Sequence, residues 1–287
     1  MALIKRAQQR MESPQLRVPA SAIWYPLHGD TASNVPGQPT LAFSSGASGN
    51  WGAQGYRAFP SGNTSDIINS NNSTVLDDVL SMIGMQAGTQ LIIAHESTTP
   101  NHSGTGFLWC YGNDGGSWSY FGLAMINTEK LQFFLRGVGA SAQVSHSFTD
   151  MDALPLVGQR CVIVTSIEAQ SPTTFLVRIL YRIVGDAAFA DTGYSALFDC
   201  EANGGTNPGR TSANHAGLTL GGRPTASWTP ANRLTIGNYA SLFGNGSGNG
   251  RLGNFVARKF PSYDPNRALA VALAMWSKPR EFPEALL

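Results

Sequence analysis

Apolar residues recur at every second position through much of the chain. In the stretch 174–184 the order places Phe175, Val177, Ile179, Tyr181 and Ile183 on one face of an extended strand. Leu176, Arg178, Leu180, Arg182 and Val184 fall on the other, and the arginines mark that face as partly wet. Further strand candidates fall at 90–95, 106–111, 119–126, 131–136, 143–148 and 160–167, with shorter ones at 54–59 and 218–220. The period changes once in the first third of the chain. There Val75, Leu76, Val79, Leu80 and Ile83 follow helical spacing, with Ser73 placed to cap and Asp77 and Asp78 near the positive end of the helix. Such a helix is short enough to cover one end of a sandwich. Residues 189–230 read as a long, mostly loop-like insertion containing two Gly-Gly pairs, Gly204-Gly205 and Gly221-Gly222.

The segment 233–276 is the most informative part of the chain. It reads as a strand at 234–239, a glycine-rich loop, a second strand at 254–259, and a short helix that Asp264 caps and Pro265 begins. The apolar-aromatic run at 21–30 closes on Gly29 and Asp30. An Ile-Gly strand, a glycine before a strand, and an Asn-Arg-Ala-Leu helix resemble the end of laminin-G-like or concanavalin-A-like β-sandwiches, and 21–30 is similar to their opening strand. The resemblance brackets residues 22 to 276. It implies an all-β fold, an antiparallel jelly-roll sandwich of roughly ten to fourteen strands with one or two short helices. Residues 1–20 then form an extended N-terminal arm and 21–287 a single sandwich domain. Where that family often has an acidic residue in the last strand, this chain has Asn254 followed by Arg258 and Lys259. Its calcium-binding aspartates have no clear equivalent here, so no cofactor is expected.

Composition narrows the setting. Only 13% of residues are charged, against 32 glycines and 16 prolines, so the surface is built from Ser, Thr, Asn and Gly, as in secreted β-proteins and virion proteins. A formal net charge of +1 supplies no long-range field for nucleic acid or anionic membranes. Cys110, Cys161 and Cys200 are odd in number, widely spaced and set in or beside apolar runs, which reads as buried free thiols and not as a zinc site or a disulfide framework. Residues 1–10 lack the apolar core of a signal peptide, and no later stretch is long enough to span a membrane, so no membrane insertion is expected. Lys5, Arg6, Arg10 and Arg17 sit in a stretch with two prolines and little apolar content, read either as a disordered tail or as an arm that orders on a neighbouring subunit.

Candidate chemistry is sparse. The Glu-x-Asp-x-x-Glu signature of sandwich-fold hydrolases is absent. The nearest acidic pairs are Asp150 with Asp152, before Pro155 in a turn, and Asp199 with Glu201, where a loop has the residue types to hold calcium. The five histidines are scattered, no GxSxG elbow is present, and the glycines at 244–250 lack the Gly-Lys-Ser/Thr ending of a phosphate loop. Aromatics offer a better lead. Trp109, Tyr111, Trp118, Tyr120 and Phe121 flank the loop 112–117, where Asn113 and Asp114 are placed to bond sugar hydroxyls; the competing reading turns these rings into the core. Trp51 and Trp228 stand in glycine- or proline-rich loops and are expected at the surface.

The leading expectation from sequence is a bacteriophage virion structural protein on the capsid or tail surface, homo-oligomeric, meeting other virion proteins through its arm and sandwich surface. It would be assembled in the host cytoplasm and carried on the virion. The alternative is a glycan-binding module for receptor attachment or adhesion to a host surface, with Trp51, Trp109, Asn113, Asp114, Trp118 and Trp228 as its site. A polysaccharide-cleaving enzyme stands third.

Overall fold

A computed structural model of the 287-residue chain describes residues 18–43, 50–51, 57–58, 68–69, 74–82, 84–98, 105–113, 119–126, 130–137, 144–148, 159–203, 217–220 and 251–287. Among the described residues, five strands precede a helix: β1 (Ala22–Tyr25), β2 (Ala42–Phe43), β3 (Asn50–Trp51), β4 (Arg57–Ala58) and β5 (Ile68–Asn69). Helix α1 (Thr74–Leu80) leads into β6 (Gln90–Thr98), β7 (Thr105–Asn113), β8 (Ser119–Ile126), β9 (Lys130–Arg136) and β10 (Val144–Phe148). Next come β11 (Arg160–Ala169), β12 (Thr174–Ile183), β13 (Ala190–Tyr194), β14 (Phe198–Asp199) and β15 (Gly217–Leu220). The chain ends with β16 (Arg251–Phe260) and helix α2 (Arg267–Ser277).

These strands form two antiparallel sheets. The nine-stranded sheet runs β13-β12-β11-β6-β16-β4-β3, with β1 on β16 and β14 on β12; the seven-stranded sheet runs β10-β9-β8-β7-β15-β5-β2. The fold is therefore the all-β sandwich that the resemblance implies. β1 pairs with β16 from Ala22 against Arg258 to Tyr25 against Phe255, which joins the two ends of the segment that the resemblance brackets.

The inner faces meet in one apolar core. Leu91, Ile93, Cys161, Ile163, Phe175, Val177, Ile179 and Phe255 come from one sheet, and Trp109, Tyr111, Phe121, Leu123, Phe133, Leu135 and Leu220 from the other. All three cysteines are free and buried, as expected. Leu76, Val79 and Leu80 of α1 enter the same core at one end of the sandwich. Lys259 donates to the carbonyls of Asp78 and Ser81 beside that helix, and burial pulls its ammonium down to about 8.

The outer face of the nine-stranded sheet is apolar as well. Ile92, Ala94, Val162, Val164, Leu180 and Val256 lie beneath Ala268, Val271, Ala272 and Met275 of α2, with Phe282 and Leu286 from the segment after it. β6 and β11 are thus buried on both sides, and each carries an unbroken apolar run, Leu91 to Ala94 and Cys161 to Val164, where a half-exposed strand would alternate. Burial of each such side chain contributes about 1.5–3 kcal/mol. Polar contacts fix how the cover sits. Arg160 pairs with the buried carboxylate of Glu96 and donates to the carbonyls of Met275 and Trp276, both at 3.3 Å, at the C-terminal end of α2. Asn254 accepts from Trp24 at 2.9 Å and donates to the Glu281 carbonyl at 3.0 Å.

Three readings need correction. The helix begins at Arg267 and not at Pro265: Asp264 instead turns its carboxylate onto the N–H of Asn266 at 2.9 Å, an Asx turn ahead of the helix. The stretch after 189 is less loop-like than expected, because β13 and β14 both pair with β12. Among the described residues the strand count reaches sixteen, because several strands are only two residues long, below the length at which alternation is visible. The strand expected at 234–239 lies outside the described residues.

Two positions make the packing testable. An ideal Cβ on Gly122 would stand 2.6 Å from the Trp109 carbonyl oxygen, because β8 and β7 approach closely beside the irregularity between Phe107 and Trp109. Gly122→Ala is expected to cost about 1–3 kcal/mol in chemical denaturation. His95 points into the core, is 2% exposed, and neither ring nitrogen has a hydrogen-bond partner. Burial pushes its pKa from 6.5 down to about 3. Between those values the unfolded chain binds a proton that the folded chain refuses, so stability falls as pH drops below 6.5, by about 2 kcal/mol at pH 5. His95→Leu should remove that part of the acid slope; an unchanged slope would count against a neutral buried imidazole.

Candidate functional site

The structure separates the residues singled out by sequence. Trp109 lies in the core, fully buried, with its ring edge-on to Phe121 at 5.7 Å and to Phe133 at 6.4 Å. It is no sugar platform, because strand alternation sends Trp109, Tyr111 and Phe121 inward together. Tyr111 donates to the buried carboxylate of Asp77. Tyr120 faces outward with Cys110, Ala124 and Phe134, and all four are buried. Trp51 belongs to β3, where its backbone pairs with Arg57, and Asn113 ends β7 opposite Ser119. Asp114, Trp118, Trp228, Lys5, Arg6, Arg10 and Arg17 lie outside the described residues, as do Asp150 and Asp152.

Asp199 and Glu201 do not form a pair poised for catalysis. One oxygen of Asp199 accepts the backbone N–H groups of Glu201 at 2.9 Å and Ala202 at 3.2 Å, starting the short helical turn Glu201–Asn203. Among the described residues no three His, Cys, Asp or Glu side chains are grouped to hold a metal ion. No described helix is long and apolar enough to cross a membrane.

The most organised exposed group lies on the outer face of the nine-stranded sheet, beside the turn that enters α2. β12 and β13 are in register with Arg178 opposite Tyr194 and Leu180 opposite Asp191, so one residue of β12 faces two of β13. This is a β-bulge, and Gly193 takes a φ of 68° within it. Asp191 and Tyr194 are three residues apart and would face opposite ways on a regular strand. The extra residue brings both to the face that carries Arg178.

Arg178 then ties the group together. Its Nε lies 3.0 and 3.2 Å from the two oxygens of Asp191, its Nη2 also meets that carboxylate, and its Nη1 donates to the Pro265 carbonyl at 3.0 Å. The Gly193 N–H adds a bond to Asp191 at 3.0 Å. Bonding to Asp191 raises the Arg178 pKa, and bonding to Arg178 lowers that of Asp191, so both stay ionised and cancel in charge. The Tyr194 and Tyr263 hydroxyls are hydrogen-bonded to each other, and Arg178 stands 5.9 Å from the centre of the Tyr194 ring. Desolvation, followed by the bond to Tyr263, raises the Tyr194 pKa and keeps it a phenol. Tyr194 nonetheless remains 43% exposed, and the Asp191 side chain 41%. An exposed ring beside an ordered carboxylate and two hydroxyls is a surface that can stack on apolar CH groups while bonding hydroxyls.

A second aromatic group sits at the other end of α2. Trp276 has Arg160 at 4.6 Å and Arg182 at 4.3 Å from a ring centre, with Phe189 edge-on at 6.0 Å. These contacts anchor the end of the helix. Alternation in β12 had marked Arg178 and Arg182 as outward-facing. Nothing in the sequence links Tyr194 with Tyr263, which are 69 residues apart and meet only because α2 covers the sheet.

No model of a known protein family matches the chain, and no curated protein matches its sequence. Solved structures do. The binding domain of botulinum neurotoxin serotype C1 aligns over 91% of this chain with a TM-score of 0.51 and 8% identity; the aligned part is 52% of that domain, so this chain spans about half its length. The CBM40 of the Ruminococcus gnavus IT-sialidase, solved with α2,6-sialyllactose, covers 65% of this chain and 84% of its own at a TM-score of 0.35 and 15% identity. The leech intramolecular trans-sialidase covers 65% of this chain and 23% of its own, at 0.37 and 16%. What the toxin domain shares with this chain is the fold.

The bulge can be tested directly. Gly193→Val places a β-branched residue at a positive φ, which should cost about 1–3 kcal/mol and lower the denaturation midpoint. An unchanged midpoint would show that the bulge is not held in this conformation.

Proposed function

We propose that this chain is a glycan-binding module, which attaches to a saccharide without cleaving it. The observation that carries the reading is the pre-ordered group of Tyr194, Tyr263, Arg178 and Asp191. A pyranose offers a flat set of CH groups to one ring face and hydroxyls at its edge, and this group presents one partner for each. Because Arg178 already holds Asp191, little side-chain freedom is lost on binding.

The fold supports the same reading. The toxin domain that shares it is a binding domain. Attachment is favoured over cleavage because one oxygen of Asp199 accepts the backbone N–H groups of Glu201 and Ala202, which gives that carboxylate a structural role. As a second reading, the module is a receptor-binding part of a bacteriophage virion, built as one sandwich domain with an N-terminal arm. The surface rich in Ser, Thr, Asn and Gly, with 13% charged residues, favours that setting. Recovery of the protein in washed, purified particles tests it, and absence from them would count against it.

The binding reading is tested by a glycan array probed with the full chain, followed by titration of the best-bound saccharide. Tyr194→Ala should weaken that binding about tenfold or more, the worth of a lost stacking contact of roughly 1.4 kcal/mol. Circular dichroism should stay unchanged, since the ring is largely outside the core. Unaltered affinity in the folded variant would remove Tyr194 from the site.

A further inference from the structure

Glu168 stands near the exposed tyrosines without a counter-ion. It belongs to β11, where it lies opposite Gln90 of β6 on one side and Leu176 of β12 on the other. Its side chain shares the outer face with Ser166, whose hydroxyl accepts from Gln90 at 2.9 Å. Gln90 also holds the backbone of Asp264, next to Tyr263, while Tyr194 comes from β13 beyond β12. The contact between the two phenols therefore crosses β12 and β11 on the side where Glu168 stands. Behind desolvation and the bond to Tyr263, the charge of Glu168 also raises the Tyr194 pKa, which places the carboxylate near that ring.

The neighbouring charged groups are already engaged. Arg178 is bonded to Asp191 and to the Pro265 carbonyl, and Arg267 to Gln90 and to the Ser262 carbonyl at 2.9 Å. Asp264 has turned its carboxylate onto the Asn266 N–H. Among the described residues no hydrogen bond or ion pair involves the Glu168 carboxylate, which is half-buried. A neutral hydroxyl would leave its charge uncompensated. An ammonium cancels that charge through a charge-assisted hydrogen bond and is attracted as well by the faces of the tyrosine rings.

We propose that Glu168 sets the specificity of this surface, and that the saccharide it takes carries a free amine, as a hexosamine does. The inference rests on the glycan-binding reading and narrows it. The Tyr194 ring stacks on the CH face of the sugar, Asp191 and the ordered phenols meet its hydroxyls, and Glu168 meets its ammonium. The same carboxylate repels an anionic saccharide, and N-acetylation removes the charge that Glu168 pairs with.

A glycan array carrying glucosamine and galactosamine oligosaccharides, as free amines and as their N-acetylated counterparts, tests this when probed with the full chain and followed by titration of the best-bound pair. The free amine should bind about tenfold or more tighter, the worth of one hydrogen bond to a charged group. Added salt should narrow the gap. Glu168→Gln keeps the size of the side chain and removes its charge. It should bring the amine down to the level of its N-acetylated counterpart and leave the denaturation midpoint unchanged. Equal or weaker binding of the free amines by the wild type, or a preference for them that survives Glu168→Gln, would overturn the role of Glu168 while leaving the glycan-binding reading standing. An array on which no saccharide of any kind is bound would overturn that reading, and this inference with it.

Discussion

The apolar outer face of the nine-stranded sheet must be covered, and α2 covers it. A sheet that buries one face against another sheet can leave its second face wet, but Ile92, Ala94, Val162, Val164 and Val256 rule that out here. Once α2 lies across β6 and β11, the turn before it must cross the end of the same face. Gln90 fixes that turn by donating to the Asp264 carbonyl at 3.2 Å and accepting from the Asp264 N–H at 3.3 Å. Arg267, the first residue of the helix, bonds Gln90 as well and lies over Phe260 at 3.9 Å. Tyr263 reaches Tyr194 because of this docking, and past Ser277 the chain returns to the sheet through Phe282 and Leu286.

Charged groups at the sheet serve the same cover. The Glu96 carboxylate, buried with no exposure, would be costly alone, and Arg160 neutralises it while meeting the carbonyl end of α2. Arg258 donates to the carbonyls of Leu286 and Leu287 and holds down the last residues of the chain. Arg178 and Arg160 stand at the two ends of the helix, one bonded to Pro265 before it and one to Trp276 within its last turn. The exposed aromatic group is thus attached through the Pro265 carbonyl to the turn that enters α2.

Apolar patterning made the long strands legible. β6 to β12 lie close to their expected positions, marked by alternation in β12 and by unbroken apolar runs in β6 and β11, and α1 was visible through its change of period. β13 was hidden for a physical reason. Its sequence, Ala-Asp-Thr-Gly-Tyr, has no apolar alternation, and its Gly193 bulge shifts the facing of the residues after it. Trp109 shows the opposite difficulty: alternation says which residues share a face, yet not whether that face meets water. The pairing of Tyr194 with Tyr263 has no local signature at all, since it follows from where α2 docks.

The central claim is that saccharide binds where Tyr194 and Tyr263 meet. The most direct measurement is a 1H-15N NMR titration of the full chain with the saccharide that an array selects. Binding at this place would shift the amides of Thr192, Gly193 and Tyr194 together with those of Tyr263, Asp264 and Asn266. Shifts confined to the seven-stranded sheet, with these amides unmoved at saturation, would contradict it.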